Sequence, residues 1–287
     1  MRLSGEPDPL LCPVCGAPLA QRDGVLVCPA GHSFDIAREG YVNLLAPAQA
    51  RRAILGDEKA MLLARRRFLE AGHYAPLMAA INETVIRHVE AAHLHIAYIV
   101  DAGCGEGAYL GALQAALEPR KGEYVFTGID IAKDAARLAA RRYPGIRFVV
   151  ADITGRLPLP DASADVLLNV FAPRNPAEFR RVLAPGGLLL VVIPAPGHLA
   201  SLRERFDLLG VEEDKRAHVA AQFTGGFTLD EAAALSFPLA LDAAALLDLV
   251  QMTPNYWHLA PGTREALASA APLETQAAFE LLSFRRG

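Results

Sequence analysis

Cysteine is scarce in this 287-residue chain: Cys12, Cys15 and Cys28 crowd near the start, and only Cys104 follows. Four are too few for a disulfide-stapled scaffold of this size, which points to a reducing compartment. Long hydrophobic runs are also missing. The longest aliphatic stretch, Leu188 to Ile193, falls far short of the roughly 20 residues that span a bilayer. The opening MRLSGEPDPL has no apolar core of a secretory signal, so the expectation is a cytoplasmic protein with no membrane partner. There is no surplus of cations either: 28 Lys+Arg against 32 Asp+Glu give a net charge of −4, and the whole-chain balance offers no hint of nucleic acid. Internal repeats and low-complexity tracts are absent. What remains is 52% hydrophobic and 21% charged, a globular composition long enough for one large or two modest domains.

Three stretches differ in character, and they set the expected domains. Residues 1–45 are short apolar pieces punctuated by Pro, Gly and Cys. Residues 46–93 read as helical, Arg-rich and connecting. Residues 94–287 alternate strand-like and helix-like segments. In that last stretch His95 to Val100, Tyr124 to Ile129, Arg147 to Val150, Asp165 to Phe171 and Leu188 to Ile193 read as strands. Ala108 to Leu117, Lys133 to Arg142 and Glu178 to Leu183 read as the intervening helices. Short apolar strands alternating with helices of about 10 residues imply βαβ crossovers and a parallel sheet covered on both faces. After Pro194 come further helical pieces, including Asp242 to Val250. Glu274 to Phe284 alternates like a late, antiparallel strand. The expected fold class is α/β.

Cys12-Pro-Val-Cys15 and Cys28-Pro-Ala-Gly-His32 are two half-sites with twelve residues between them. Zinc takes four soft or borderline ligands in a tetrahedron, and two knuckles of two ligands each satisfy it. Between them Asp23-Gly24 signals a hairpin. A segment this short cannot hold together by apolar burial alone, so a metal would supply folding energy. The expectation is one structural zinc per chain on Cys12, Cys15, Cys28 and His32. Four protein ligands leave no open position for catalysis.

Asp101-Ala-Gly103-Cys104-Gly105-Glu106-Gly107 follows the first strand of the α/β region and opens a helix. Its glycines fall at alternate positions, unlike the dinucleotide fingerprint. That spacing lets the backbone pass close beneath a ligand lacking a pyrophosphate, which suits S-adenosylmethionine. Asp130, at the end of the second strand, is placed to accept from a ribose diol. Asp152, at the end of the third, is placed to accept from the adenine amino group. All three features sit at the carboxyl ends of successive strands, where an open parallel sheet binds ligands. Cys104 reads as a small spacer in the cofactor loop.

After the fourth strand comes Asn169-Val170-Phe171-Ala172-Pro173-Arg174, on the edge that faces the methyl group in such methyltransferases. It lacks the Asn-Pro-Pro-Tyr/Phe box of exocyclic amino methylation and the Pro-Cys nucleophile of cytosine C5 methylation. With these residues in view, the chain resembles the RlmA family of 23S rRNA guanine-N1 methyltransferases. The resemblance runs through CPVC…CPAGH, SFDIAREGYVNLL (Ser33 to Leu45), RRRFLEAGHYAPL (Arg65 to Leu77), DAGCGEG, FAP, LAPGG (Leu183 to Gly187) and LVQMTPNYW (Leu249 to Trp257). It covers essentially the whole chain, and the ribbon joined to FDIAREGYVNLL is its discriminating part. Relatives often carry Tyr-Ala-Pro-Cys where this chain has Phe171-Ala-Pro-Arg174. The resemblance implies a Rossmann-like class I SAM-dependent methyltransferase with a small N-terminal zinc ribbon that contacts RNA. It implies a guanine in the hairpin 35 region of 23S rRNA as target, and homodimers with a cleft between zinc domains. It further implies cofactor contacts from Asp101, Gly103, Gly105, Asp130, Asp152 and Asn169, with His73 and Tyr74 beside the pocket.

Local charge is more informative than the total. Arg51 to Arg67 holds six cations and two anions, a patch able to neutralise phosphates or to serve as a solvated helix face. Three consecutive arginines, however, cannot all point one way on a helix. Phe34, Tyr41, Tyr256 and Trp257 could stack on bases or pack in the core. His88, His93 and His95 read as structural. Guanine N1 lies on the Watson–Crick edge and carries a proton, so the base must leave its stack and a base or an O6 stabiliser is expected. No residue announces itself for that role. Asp35, Glu39 and His73 are candidates as base, and Arg174 as O6 stabiliser. Two other readings stay open: a methyltransferase for a small molecule such as a quinone precursor, and a non-catalytic RNA-binding module.

Overall fold

The apolar runs become an eight-stranded sheet in the computed structural model, which describes residues 10–45, 57–208, 210, 214–253, 256, 259 and 262–287. Arg51, Arg52 and Trp257 lie outside the described residues, as does part of the segment around Tyr256.

The described chain begins with a three-stranded antiparallel ribbon: β1 (Ala20–Arg22), β2 (Val25–Val27) and β3 (Ser33–Asp35). Asp23 and Gly24 turn between β1 and β2 with φ of 46° and 80°, the left-handed pair that a two-residue hairpin requires. A two-residue strand follows, β4 (Val42–Asn43), and then the helices α1 (Lys59–Glu70) and α2 (Ala75–Ala91). The α/β region supplies β5 (Ile96–Ala102), α3 (Ala108–Leu117), β6 (Glu123–Asp130), α4 (Lys133–Arg142), β7 (Arg147–Val150) and β8 (Ala164–Val170). It continues with α5 (Pro176–Val182), β9 (Leu183–Pro194), α6 (Ala200–Phe206), α7 (Lys215–Gln222) and β10 (Phe227–Leu241). The last elements are α8 (Ala243–Gln251), α9 (Thr263–Ala268) and β11 (Leu273–Arg286).

Strand order is β10-β11-β9-β8-β5-β6-β7-β4. From β4 to β9 neighbouring strands are parallel, while β11 runs antiparallel to both β9 and β10. The chain moves outward one way through β5, β6 and β7, then returns to lay β8 on the other side of β5. The crevice between the ends of β5 and β8 is therefore the topological switch point, where such sheets bind ligands.

Alternation along β5 divides the core. Ala97 and Ile99 join the layer of α1, α2, α3 and α8. Tyr98, Val100 and Ala102 join the opposite layer with Phe179 of α5 and Val219 of α7. That second layer also contains Leu10, Cys12, Leu19, Leu26 and Cys28, so the ribbon shares a core with the sheet. Val42 and Asn43 extend the sheet beyond β7, and the Leu44 N–H donates to the Val150 carbonyl.

The expected strands and helices of residues 94–193 all form, and the late strand is antiparallel as expected. The 15-residue β10 replaces helix in the stretch after Pro194. Its sequence, FTLDEAAALSFPLAL, favours helix by propensity, but pairing with β11 along nearly its whole length overrides it. As an edge strand β10 leaves much of one face exposed and tolerates Pro238.

Candidate active site and metal centre

The knuckles expected to hold a metal converge. Cys12, Cys15, Cys28 and His32 place one ligand atom each within 4.8 Å of one another, the one such cluster found among the described residues. Cys15 and Cys28 sulfurs are 3.6 Å apart, and His32 Nδ1 lies 3.6 Å from Cys12 Sγ and 3.4 Å from Cys28 Sγ. A tetrahedron with zinc–sulfur and zinc–nitrogen bonds of about 2.3 and 2.0 Å has edges of roughly 3.5–3.8 Å, so the donor set fits zinc. Burial raises the Cys28 thiol, but hydrogen bonds from the His32 backbone and neighbouring groups outweigh it and bring it down to about 6, which favours the ligating thiolate. Among the histidines read as structural, His88 is buried and its Nδ1 accepts from Arg285.

At the switch point the glycine loop packs against the segment after β8. Gly103 has φ of 90°, and a Cβ there would lie 2.3 Å from the Ala172 Cβ. Only glycine brings the two loops this close. Gly107 has a different job: a Cβ would meet the Phe148 ring at 2.9 Å and Ala139 Cβ at 3.2 Å, so its smallness seats α3 on the sheet. Cys104 is buried, and burial pushes its thiol well up, which makes it inert packing.

The acids divide the work. Asp130 accepts from the Gly105 and Ala132 N–H groups at 2.8 Å each, one per oxygen, tying the glycine loop to the start of α4 with an acceptor lobe left on each oxygen. Asp152 Oδ1 accepts from the Thr154 N–H at 2.9 Å and its hydroxyl at 2.6 Å. Asp101 differs from both: it is 1% exposed, and neither oxygen has a partner among the described residues. Burial, reinforced by Asp130, pushes its pKa up to about 8. A buried carboxylate this orphaned suits a cationic ligand, and S-adenosylmethionine brings an ammonium and a sulfonium. Asn169 is fully buried; its amide donates to the Ala102 and Pro173 carbonyls at 3.0 and 2.9 Å, while its Oδ1 is unpartnered among the described residues. Tyr74 immediately precedes α2, buried among Phe68, Phe237 and Phe279, with its hydroxyl 3.5 Å from His198 Nε2.

The residues considered for acid–base work do not converge. Glu39 is bound to Arg141 at 2.8 Å, and backbone and Arg141 hydrogen bonds hold its carboxyl low. Arg141 stands in the last turn of α4, the end away from Asp130. Asp35 is exposed on β3 of the ribbon. His73 packs beside Phe68, with ring centroids 4.6 Å apart. Arg174 donates to Gln222 at 3.0 Å; of the four it alone belongs to the loop that borders the cofactor crevice.

The arginine row is a clasp. Arg65 bonds Asp57 at 2.7 Å and the Met252 carbonyl at 3.1 Å, resting over Gly105. Arg66 Nε and Nη2 donate to buried Glu106 at 3.1 and 3.0 Å. Arg67 donates to Asp248 at 2.9 Å, with more than half its side chain exposed. The three point to different partners, as the helical geometry required. They fasten α1 over the glycine loop and against α8, so this row is not a free phosphate-binding surface. Sequence reading quoted Glu106 and Phe171 within their motifs without giving either a role, and it missed Tyr109 and Phe279 beside them. Glu106 lay in plain view within the glycine loop, but its pairing with Arg66 across 40 residues left no local signal.

No helix among the described residues is long and apolar enough to cross a membrane. Residues 10–53 match the family model described as RlmA, N-terminal, a zinc ribbon, and residues 99–187 match a methyltransferase domain. A protein of Micromonospora griseorubida named for 23S rRNA (guanine-N1) methylation is 43% identical, over 96% of this chain and 97% of the relative. The 23S rRNA (guanine(748)-N(1))-methyltransferase of Streptomyces fradiae is 41% identical over 88% of this chain and 87% of its own. A Bacillus subtilis relative carrying the guanine-N1 name is 34% identical over 89% of each chain. Ribbon, switch-point crevice and near-full-length likeness agree: the chain belongs to the family of 23S rRNA (guanine-N1)-methyltransferases, a class I methyltransferase fold joined to an RlmA-type zinc ribbon.

Proposed function

We propose that this protein methylates N1 of a guanine in 23S rRNA, using S-adenosylmethionine. The observation that carries the reading is the 41–43% identity extending through both ribbon and methyltransferase regions to proteins named for that reaction. A small-molecule enzyme would share only the cofactor half. A phthiotriol/phenolphthiotriol dimycocerosates methyltransferase of Mycobacterium tuberculosis is 35% identical over only 31% of this chain.

The cofactor supplies an electrophilic methyl group on a sulfonium. Asp101 holds the cationic end, Gly103 and Gly105 let the backbone approach, Asp130 accepts from the ribose hydroxyls and Asp152 from the adenine amino group. Asn169 fastens the end of β5 to the loop after β8, fixing the distance between cofactor and incoming base. The zinc ribbon, sharing a core with the sheet, recognises RNA and presents the target strand. The guanine is extruded so that N1 enters the crevice. Much of the rate comes from holding donor and acceptor in line; as the N1–methyl bond forms and the sulfonium carbon–sulfur bond breaks, the N1 proton passes to solvent, and Arg174 is the donor best sited to stabilise negative charge on O6.

Primer extension on 23S rRNA from a deletion strain and its complemented parent tests this. An N1-methyl group blocks pairing, so reverse transcriptase stops one nucleotide short of the target only where the enzyme is present. Identical stops in both strains refute the reading.

A further inference from the structure

Phe171 is the one exposed phenylalanine or tyrosine among the described residues, at 44%. It stands immediately past β8, and its neighbour Ala172 abuts Gly103 of the cofactor loop. Its backbone is left-handed, with φ of 54°, a region that non-glycine residues enter rarely and chiefly where the surroundings enforce it. Here the enforcement is visible. The Phe171 N–H donates to the Val192 carbonyl at 3.2 Å, and Asn169 pins the Pro173 carbonyl at 2.9 Å. The ring leans on Phe279, with centroids 5.4 Å apart at 44°, and on Tyr109, at 6.4 Å and 71°. An aromatic ring on a left-handed backbone, leaning on two other rings and still 44% exposed, is not explained by core packing.

Of the other aromatics considered for stacking, Trp257 lies outside the described residues and the other three are engaged elsewhere. Tyr41 is buried, Phe34 packs on the ribbon core, and Tyr256 lies under Arg264, whose guanidinium is 4.1 Å from the ring centroid. From these observations we infer that Phe171 is the stacking platform for the extruded target purine, a positioning residue that orients the Watson–Crick edge toward the methyl donor. The inference rests on the proposed guanine methylation. An extruded base has lost its neighbours, and an aromatic face restores that contact without reading sequence.

The test uses full-length protein, S-adenosylmethionine and a 23S rRNA transcript, with Phe171→Leu, Phe171→Tyr and Phe171→Trp compared by methyl-transfer kinetics. Leucine keeps an apolar side chain on the same backbone but removes the π face. The expected result is a fall in kcat/KM for RNA of roughly 5- to 100-fold for Phe171→Leu. Tyrosine and tryptophan should stay within about threefold of wild type, and S-adenosylhomocysteine affinity should stay unchanged in all three. Full activity in the leucine variant overturns the platform. So does an equal loss in all three variants, or a matching loss of S-adenosylhomocysteine affinity, because each marks a packing role. An inactive wild-type enzyme would instead overturn the guanine reading and the platform with it.

Discussion

Asp101→Asn separates ligand binding from stability at one buried atom pair. In the free protein the carboxyl is fully enclosed, has no described partner, and titrates at about 8. At pH 7 roughly nine in ten molecules therefore carry its proton. A cationic cofactor favours the carboxylate, so binding expels close to one proton at pH 7 and progressively less above pH 8. Affinity should accordingly rise by up to about tenfold per pH unit below 8 and level off beyond it. The stability sign is opposite to that of a salt-bridged acid. A folded pKa raised above the ordinary carboxylate value makes the destabilisation absent below about pH 4, growing up to pH 8 and constant thereafter. At pH 7 its upper bound is on the order of 4 kcal/mol, reduced by the cost of an unsatisfied asparagine amide, about 1–3 kcal/mol. Calorimetry of S-adenosylhomocysteine binding in buffers of different ionisation enthalpy reads the proton directly. The Asn variant serves as the reference for the ligand's own amine. The wild type should release about 0.9 more protons than the variant at pH 7, and the variant should bind more weakly. Its ligand-free stability should be flatter between pH 4 and 8. Equal proton release, together with parallel stability curves, would refute the orphaned-acid argument.

Removing Arg66 should be structurally expensive. Glu106 is 3% exposed, and Arg66→Ala leaves its charge without a guanidinium, destabilising by roughly 3 kcal/mol in denaturant titration; a change below about 0.5 kcal/mol would show that the clasp is idle. Gly103→Ala combines a left-handed backbone with a Cβ 2.3 Å from Ala172, and should cost roughly 3 kcal/mol and abolish cofactor binding by calorimetry. Metal analysis should find about one zinc per chain, and Cys28→Ser should lose most of it. Because Cys28 belongs to the core layer shared with the sheet, that variant should also lower the melting temperature of the whole protein. A wild-type melting temperature in the variant would contradict the shared core.

The parts of the fold carried by local pattern were legible. Alternation and spacing along residues 94–193 located five strands and three helices, and the two knuckles located the metal cluster. What escaped depended on distant partners. β10 was hidden because its alanines and glutamate favour helix until β11 supplies a ladder. The arginine row read as a surface charge, since nothing near it in sequence announces Glu106 or Asp248. Phe171 was visible as part of the edge after the fourth strand and as a departure from a family motif; its left-handed backbone and exposed ring emerge when β8, β9 and β11 bring Val192 and Phe279 beside it. The acids at strand ends were found, but not their differing partners: Asp130 and Asp152 accept from backbone N–H groups, while Asp101 has no partner among the described residues.

Nucleoside analysis of the product tests the central claim most directly. Purified enzyme, S-adenosylmethionine and unmodified 23S rRNA are incubated, the RNA is digested, and methylated guanosines are resolved by mass spectrometry against standards. The account predicts 1-methylguanosine approaching one per rRNA, absent without enzyme or cofactor. Methylation at another guanine position, or none with folded, zinc-loaded protein, would contradict it.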